Sequence, residues 1–249
     1  QHEIAMTYCV AMNLAQGLVF VSDSRTNAGV DNIAVFRKLH IFGTPGERLI
    51  VVQSAGNLAT SQSVISTLRQ RMGSDGPNLG TVENLFEAAR LVGSTLREVV
   101  DHDENIGQNQ GVDLGSSFLV GGQVGTEVPR LFNVYPQGNF IESTRDTPYF
   151  QIGESKYGKP IIDRAMSYST PLEQALRCAL ISFDSTIRSN LSVGMPLDLL
   201  VYREGSLEVP AGYRIQEGDP YFEGIRNQWG AGLRQLLGEL PAPPGDYWH

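Results

Sequence analysis

The sequence predicts an α+β protein built as a four-layer αββα sandwich, with two antiparallel sheets packed face to face and a helix layer covering each. Three observations carry this expectation. Residues 7–14 alternate between two faces, strand patterns come in runs of four, and helical patterns come in pairs between those runs. A parallel βαβ fold would alternate single strands with single helices.

In the first strand, Tyr8, Val10, Met12 and Leu14 share one face and Thr7, Cys9, Ala11 and Asn13 the other. Ala15-Gln16-Gly17 reads as a turn, and 18–22 (LVFVS) as a second, more buried strand. The polar stretch DSRTNAGVDN then reads as a loop. Short strands follow around 38–42 and 48–54. Gly56 closes the second of these and opens a helix over 57–72, with Leu58, Ser61, Ile65, Leu68 and Met72 on one stripe. A break at 73–80 precedes a helix over 82–102, where Leu85, Ala89, Val92, Leu96 and Val99 recur at helical spacing. Strands resume at 116–121, 130–135, 138–143 and 148–152, followed by helices at 157–168 and 171–189. Thr170-Pro171-Leu172-Glu173 has the pattern of a capping box with proline at the first helical position. A strand at 197–203 and a helix at 220–239, with Ile225, Trp229, Leu233 and Leu237 on one face, complete the order. Residues 7–240 thus read as a single domain and 241–249, PAPPGDYWH, as a tail.

Of 249 residues, 41% are hydrophobic and 18% charged, values ordinary for a globular chain able to bury a sizeable core. A net charge of −8 argues against a general nucleic-acid binder, which would show a basic face. No apolar run approaches a membrane span, and residues 1–6 do not form a signal peptide. These features predict a cytoplasmic protein with neither a nucleic-acid nor a membrane partner. Cys9 and Cys178 read as two buried reduced thiols, and neither they nor the four histidines show metal-ligand spacing. The run DHDENIGQ at 101–108 reads as a solvated loop rather than a cation site, and Trp229 as a packing residue.

Four residues near the start could do chemistry together: Thr7, Asp23, Arg25 and Lys38. A hairpin of the first two strands returns Asp23 to the end where Thr7 lies, and Lys38 begins the next strand at the same end. An ammonium there would lower the pKa of the Thr7 hydroxyl and stabilise its alkoxide, with Asp23 holding the lysine charged and oriented. A free Thr7 α-amine, with a reference pKa of about 7.7–8.0, would serve as the base. Gly56, between a strand and a helix N-terminus, would offer its backbone N–H to an oxyanion. By residue types alone the bland reading is stronger: an Asp–Lys pair at a strand end is most often structural, and a strand-initial threonine is most often a β-former.

The stretches TYCVAMNLAQGLVFVSDSRTNAG, FRKLH and SAGNLATSQ resemble, in order, the N-terminal region of proteasome β-type subunits. More closely, MTYCV, SDSRTNAGVDNI and FRKLH resemble Anbu, the bacterial ancestral β-subunit group, in which the threonine follows the start methionine. The resemblance covers nearly the whole chain and is densest over 7–60. It implies the proteasome-like fold of N-terminal-nucleophile hydrolases. Thr7 then matches the nucleophile, Asp23 and Lys38 the charged pair, and Gly56 the oxyanion donor. Arg25 and Gly29 match a loop bounding the substrate channel, and Ser192 a serine supporting the amine. It implies a threonine endopeptidase acting on peptide substrates with no metal or organic cofactor. It also implies a homo-oligomer, a ring or an open spiral, and leaves room for a partner ATPase that the sequence does not identify.

Two departures stand out. Typical β-subunits carry an aspartate three residues before the supporting serine, where Ser189 stands here. Where the family has a Gly-Ser-Gly turn, this chain has Gly153-Glu154-Ser155-Lys156, which makes Ser155 the candidate support and Glu154 a new acid, read here as a solvated loop residue. Residues 1–5, QHEIA, read as a cloning remnant ahead of a start at Met6, a short propeptide being the alternative. With the Met6–Thr7 bond intact the nucleophile is blocked. Two other functions fit the same residues: a self-assembling, peptide-binding shell with a vestigial site, which Ser189 favours, and a small-molecule amidase.

Overall fold

Every residue of the strand Gly17–Asp23 (β2) is buried, and this strand organises one of the two sheets. It pairs antiparallel with Tyr8–Leu14 (β1), Cys9 opposite Ser22, and on its other edge with Leu197–Arg203 (β11), Leu197 opposite Asp23. Tyr149–Gly153 (β10) flanks β1, and Tyr213–Ile215 (β12) flanks β11, giving the order β10-β1-β2-β11-β12. The second sheet runs Leu39–Thr44 (β5), Arg48–Gly56 (β6), Ser116–Val124 (β7), Arg130–Val134 (β8) and Phe140–Glu142 (β9) in chain order, antiparallel throughout. These relations come from a computed structural model that describes residues 7–27, 33–105 and 113–248. Residues 1–6, Gly29 and the end of the DHDENIGQ run lie outside the described residues.

The expected sandwich is present. Cys9, Ala11, Phe20, Leu49, Val51, Leu119 and Leu200 join in one buried cluster between the sheets. Gly121 is required there: a Cβ on it would stand 2.9 Å from the Phe20 ring. On the outer side of β1, Tyr8 stacks on Phe183 of the helix Leu172–Ser189 (α4), with ring centroids 4.3 Å apart. The helices Leu58–Arg71 (α1) and Leu85–Asn105 (α2) cover the second sheet, and Val64, Leu68, Leu85, Val92 and Leu96 pack on its Phe42, Val52 and Phe118. Lys159–Ala165 (α3) accompanies α4. Each large side chain buried in these clusters contributes roughly 1.5–3 kcal/mol.

Three local expectations are corrected. The stretch expected as a loop after Asp23 contains a small hairpin, Arg25–Asn27 (β3) paired with Ile33–Val35 (β4). Strands of three residues are too short to show a period. The strand β12 was missed for the same reason. The capping box at 170–173 does not form. Pro171 itself is the cap, the Thr170 hydroxyl accepts from Ser167 N at 3.0 Å, and the Leu172 N–H is met by Gln16 Oε1 at 3.3 Å. A side chain from the β1–β2 turn thus does a task that local sequence was expected to do. By contrast α1 is capped locally, with Asn57 Oδ1 accepting from Thr60 N at 3.1 Å.

By its contacts the chain divides at Glu217–Gly218 into two compact units. The sandwich belongs to the first. The second holds the helix Pro220–Glu239 (α5), capped by Asp219 Oδ1 on Phe222 N at 2.9 Å, and a short turn Gly245–Trp248. Trp229 is 38% exposed, and Leu233 and Leu237 are more exposed still.

Gly153 ends β10 opposite Tyr8 with φ +80°, and a Cβ on it would overlap the Thr7 carbonyl. The substitution Gly153→Ala is therefore expected to cost about 2 kcal/mol or more. Urea denaturation of the variant beside the parent chain measures this, and an unchanged midpoint would show that the strand end yields freely.

Candidate active site

Thr7 stands at the mouth of β1, buried, and its main chain is held on both sides. Its carbonyl accepts from Glu154 N at 2.7 Å, and the following amide, Tyr8 N, donates to Asp23 Oδ1 at 3.1 Å. Beyond Thr7 the chain is anchored by the Tyr8 hydroxyl, which lies 3.0 Å from Ser182 Oγ of α4 and accepts from Gln151 Nε2 of β10 at 2.7 Å.

Asp23 closes β2 and is fully buried. Its Oδ1 also accepts from Lys38 Nζ at 2.8 Å, and its Oδ2 from Gly194 N at 3.4 Å. Burial pushes the carboxyl up from its ordinary value, against the Lys38 ammonium and the N–H groups of Tyr8 and Gly194. All the partners named are donors, a surrounding that only the carboxylate satisfies. Lys38 is buried as well and makes a second bond, from Nζ to the Arg25 carbonyl at 2.6 Å, while its own carbonyl accepts from Ser54 N of β6 at 3.0 Å. The ammonium therefore has one position. Burial, with the Asp23 charge beside it, also pushes the Cys9 thiol up, so Cys9 stays protonated and is no nucleophile.

Thr7, Lys38 and Gly56 line one cleft of about 370 Å³. Gly56 has φ +111° and precedes the Asn57 cap of α1, so the helix N-terminus opens onto this cleft. The other expected residues are placed as follows. Arg25 lends its carbonyl to Lys38, while its guanidinium lies against Gly194 and donates to Leu191 O at 3.0 Å, bracing the α4–β11 loop. Ser192 lies in that loop, its N–H bonded to Asn190 Oδ1 at 2.9 Å, two residues from the Gly194 amide that reaches Asp23. Ser155 borders a separate depression with Lys159 and Asp163. Ser189 is exposed at the end of α4. Glu154 departs from its expected solvated state: its side chain is 17% exposed and pairs with Lys156 Nζ at 3.4 Å, because its amide is bound to Thr7 and draws the residue inward.

Sequence reasoning did not single out Arg37, His40, Arg69 or Asp198. Asp198 is buried on β11, where it takes both nitrogens of Arg214 at 2.8 and 2.7 Å and Arg37 Nη1 at 3.3 Å. A lone acid within the apolar run LDLLVY was the available signal. His40, in the FRKLH stretch, lines the cleft, and its pKa is lowered to about 4 by burial first and then by the Arg69 and Arg37 charges, Asp198 opposing. Among the described residues no group of three or more His, Cys, Asp or Glu is placed to hold a metal ion, and no helix is long and apolar enough to cross a membrane.

No family model matches the sequence. Solved structures are similar over nearly its whole length. An Anbu complex from Pseudomonas aeruginosa, a helical assembly, is 63% identical, with 96% of this chain and 99% of that one covered and a TM-score of 0.93. Anbu from Yersinia bercovieri is 57% identical over 96% and 99% of the two chains, at 0.90. Anbu from Hyphomicrobium sp. strain MC1 is 46% identical over 94% and 98%, at 0.87. Among curated proteins, a proteasome β subunit from Haloquadratum walsbyi is 21% identical over 211 residues, 82% of this chain and 76% of that protein.

Because the folded pKa of His40 lies below its ordinary 6.5, the unfolded chain binds more protons between pH 6.5 and about 4. Stability from this group is full above that window and is lost as pH falls through it, by at most about 3 kcal/mol. His40→Gln is expected to lose less stability than the parent chain between pH 7 and 4.5. Equal losses in paired denaturation curves would show that His40 protonates freely in the folded state.

Proposed function

The chain belongs to the Anbu family of ancestral β-subunits, and on that premise we propose that it is a threonine-type N-terminal-nucleophile peptidase. The observation that carries the reading is the Lys38 ammonium, fixed by Asp23 and the Arg25 carbonyl, in the same cleft as Thr7. In this reading the Thr7 α-amine takes the proton from Thr7 Oγ1 as that oxygen attacks the peptide carbonyl. Lys38 stabilises the developing negative charge at Oγ1. The Gly56 N–H, at the positive end of α1, stabilises the carbonyl oxygen as it becomes an oxyanion. The amine then returns the proton to the leaving nitrogen, the C–N bond breaks, and an ester to Thr7 remains. Water, deprotonated by the same amine, attacks the ester, and the second product leaves with Oγ1 reprotonated. Ser192 supports the amine in this reading, while Ser155, which borders a separate depression, is given no part in it. Asp23 acts by keeping the lysine charged and in place.

While residue 6 is attached, the Thr7 nitrogen is an amide and has no basic lone pair. Release of Thr7 is therefore part of the mechanism, and a chain carrying residues 1–6 is inactive. An unshielded peptidase would be indiscriminate, so self-assembly belongs to the same reading. The Pseudomonas relative is a helical assembly, and an exposed stripe such as Trp229, Leu233 and Leu237 is what a self-associating subunit presents.

The test compares a chain beginning at Thr7 with its Thr7→Ala and Lys38→Ala variants on peptide and small-amide libraries. Peptide hydrolysis is expected in the first and a loss of about a thousandfold in each variant. Hydrolysis of amides alone would make the protein an amidase. No hydrolysis by an assembled chain beginning at Thr7 would make it a shell. Lys38→Ala also leaves Asp23 buried without its cation, an expected cost of about 3–5 kcal/mol in the same samples.

A further inference from the structure

Among the described residues the charged side chains lining the cleft are Arg37, Lys38 and Arg69, with His40 beside them and no carboxylate. Lys38 is neutralised by Asp23. Arg37 is only half neutralised, since Asp198 is shared with Arg214, which takes both of its oxygens. Among the described residues Arg69 makes no ion pair, and its guanidinium carbon stands 4.8 Å over the Phe42 ring. The cleft is thus a positive region on a chain of net charge −8. The Arg69 charge is felt inside it, as one of the causes that hold His40 in its neutral form.

One face of α1 forms the long wall: Leu58 near Gly56, then Ser61, Gln62 and Ile65, and Arg69 at the far end. From Leu58 to Arg69 the helix rises roughly 16 Å, and an arginine side chain leans back about one turn toward the helix N-terminus. A substrate side chain entering beside Thr7 would run along Leu58 and Ile65 before meeting a cation. An acidic side chain with a longer apolar stem therefore brings its carboxylate nearer to the Arg69 charge than a shorter one does.

We propose that this cleft selects an acidic side chain, glutamate before aspartate, on the residue whose carbonyl Thr7 attacks, with Arg69 as the residue that sets the preference. The inference rests on the peptidase reading for the place of that residue, but binding can be measured without turnover. The probes are the acetyl-Ala-Ala-X-amide peptides with X as Glu, Asp, Gln, Leu or Lys, competing against a fluorescein-labelled Glu peptide on the full chain. The Glu peptide is expected to bind about five- to tenfold more tightly than the Gln peptide, with Asp weaker than Glu. Arg69→Gln should bring the Glu-to-Gln ratio near one, and Arg69→Glu should move the preference to Lys. Circular dichroism and sedimentation show whether the variants fold and assemble as the parent does.

An unchanged ratio in Arg69→Gln, a uniform loss for all peptides, no binding by any of them, or altered sedimentation with the ratio intact would each overturn the assignment. The last would place Arg69 in a subunit contact instead. Turnover by the chain beginning at Thr7, on the same X series with an amide bond to cleave, separates the two readings. Cleavage without acid preference overturns the specificity alone. Acid-selective binding without cleavage supports the specificity and overturns the peptidase reading.

Discussion

The buried ion pair between Asp23 and Lys38 is the constraint on which the rest of the site depends. A carboxylate and an ammonium out of water are tolerable only if each is fully bonded, since the loss of one partner leaves the other as an unpaired charge in a low-dielectric interior. That demand reaches far along the chain. It requires the Tyr8 amide, which sets the register of β1 on β2; the Gly194 amide, which sets the loop after α4; and the Arg25 carbonyl, which sets the start of the β3–β4 hairpin. Segments distant in sequence converge because one carboxylate and one ammonium must be satisfied. Thr7 inherits its position from that convergence, held by Glu154 on one side and by Tyr8 on the other.

Around this pair the electrostatics are divided into a neutral interior and a cationic opening. The Tyr8 phenol and the Cys9 thiol follow Thr7 in the chain, and burial pushes the pKa of each up, so neither is a base or a nucleophile. Toward the opening the groups are Arg37, His40 and Arg69, with Asp198 behind them. A hydroxyl that shares a cleft with a fixed ammonium is in a surrounding that lowers the cost of an alkoxide.

Legibility differed by element for physical reasons. The two faces of residues 7–14 were readable because both are covered, one by α4 and one by the other sheet, and alternation sorts the side chains between them. The hairpin logic that placed Asp23 beside Thr7 rests on strand period and turn length, both local properties. The hairpin at 25–35 and the strand at 213–215 were not readable, because three residues carry no period and their pairing is decided by the partner strand. The capping box failed because the Thr170 hydroxyl is engaged by Ser167 N, while Gln16, far away in sequence, supplies an acceptor to Leu172 N. Arg69 was not singled out because it is a basic residue in the last turn of a helix, where cations are favoured anyway. Nothing local shows that this turn overlooks the cleft that also holds Thr7.

The sequence by itself determined the layer order, the alternation that buries both faces of the first sheet, and the identity of the residues able to form the charged pair. It could do so because hydrophobic periodicity and turn chemistry act over a few residues. Only the tertiary structure decided which donors complete Asp23, that Arg25 gives Lys38 a carbonyl rather than a charge, and that Asp198 is divided between Arg37 and Arg214. The Gly194 amide on Asp23 and Arg37 on Asp198 join segments more than a hundred residues apart, and even the nearer pairs meet only once the strands that carry them have packed.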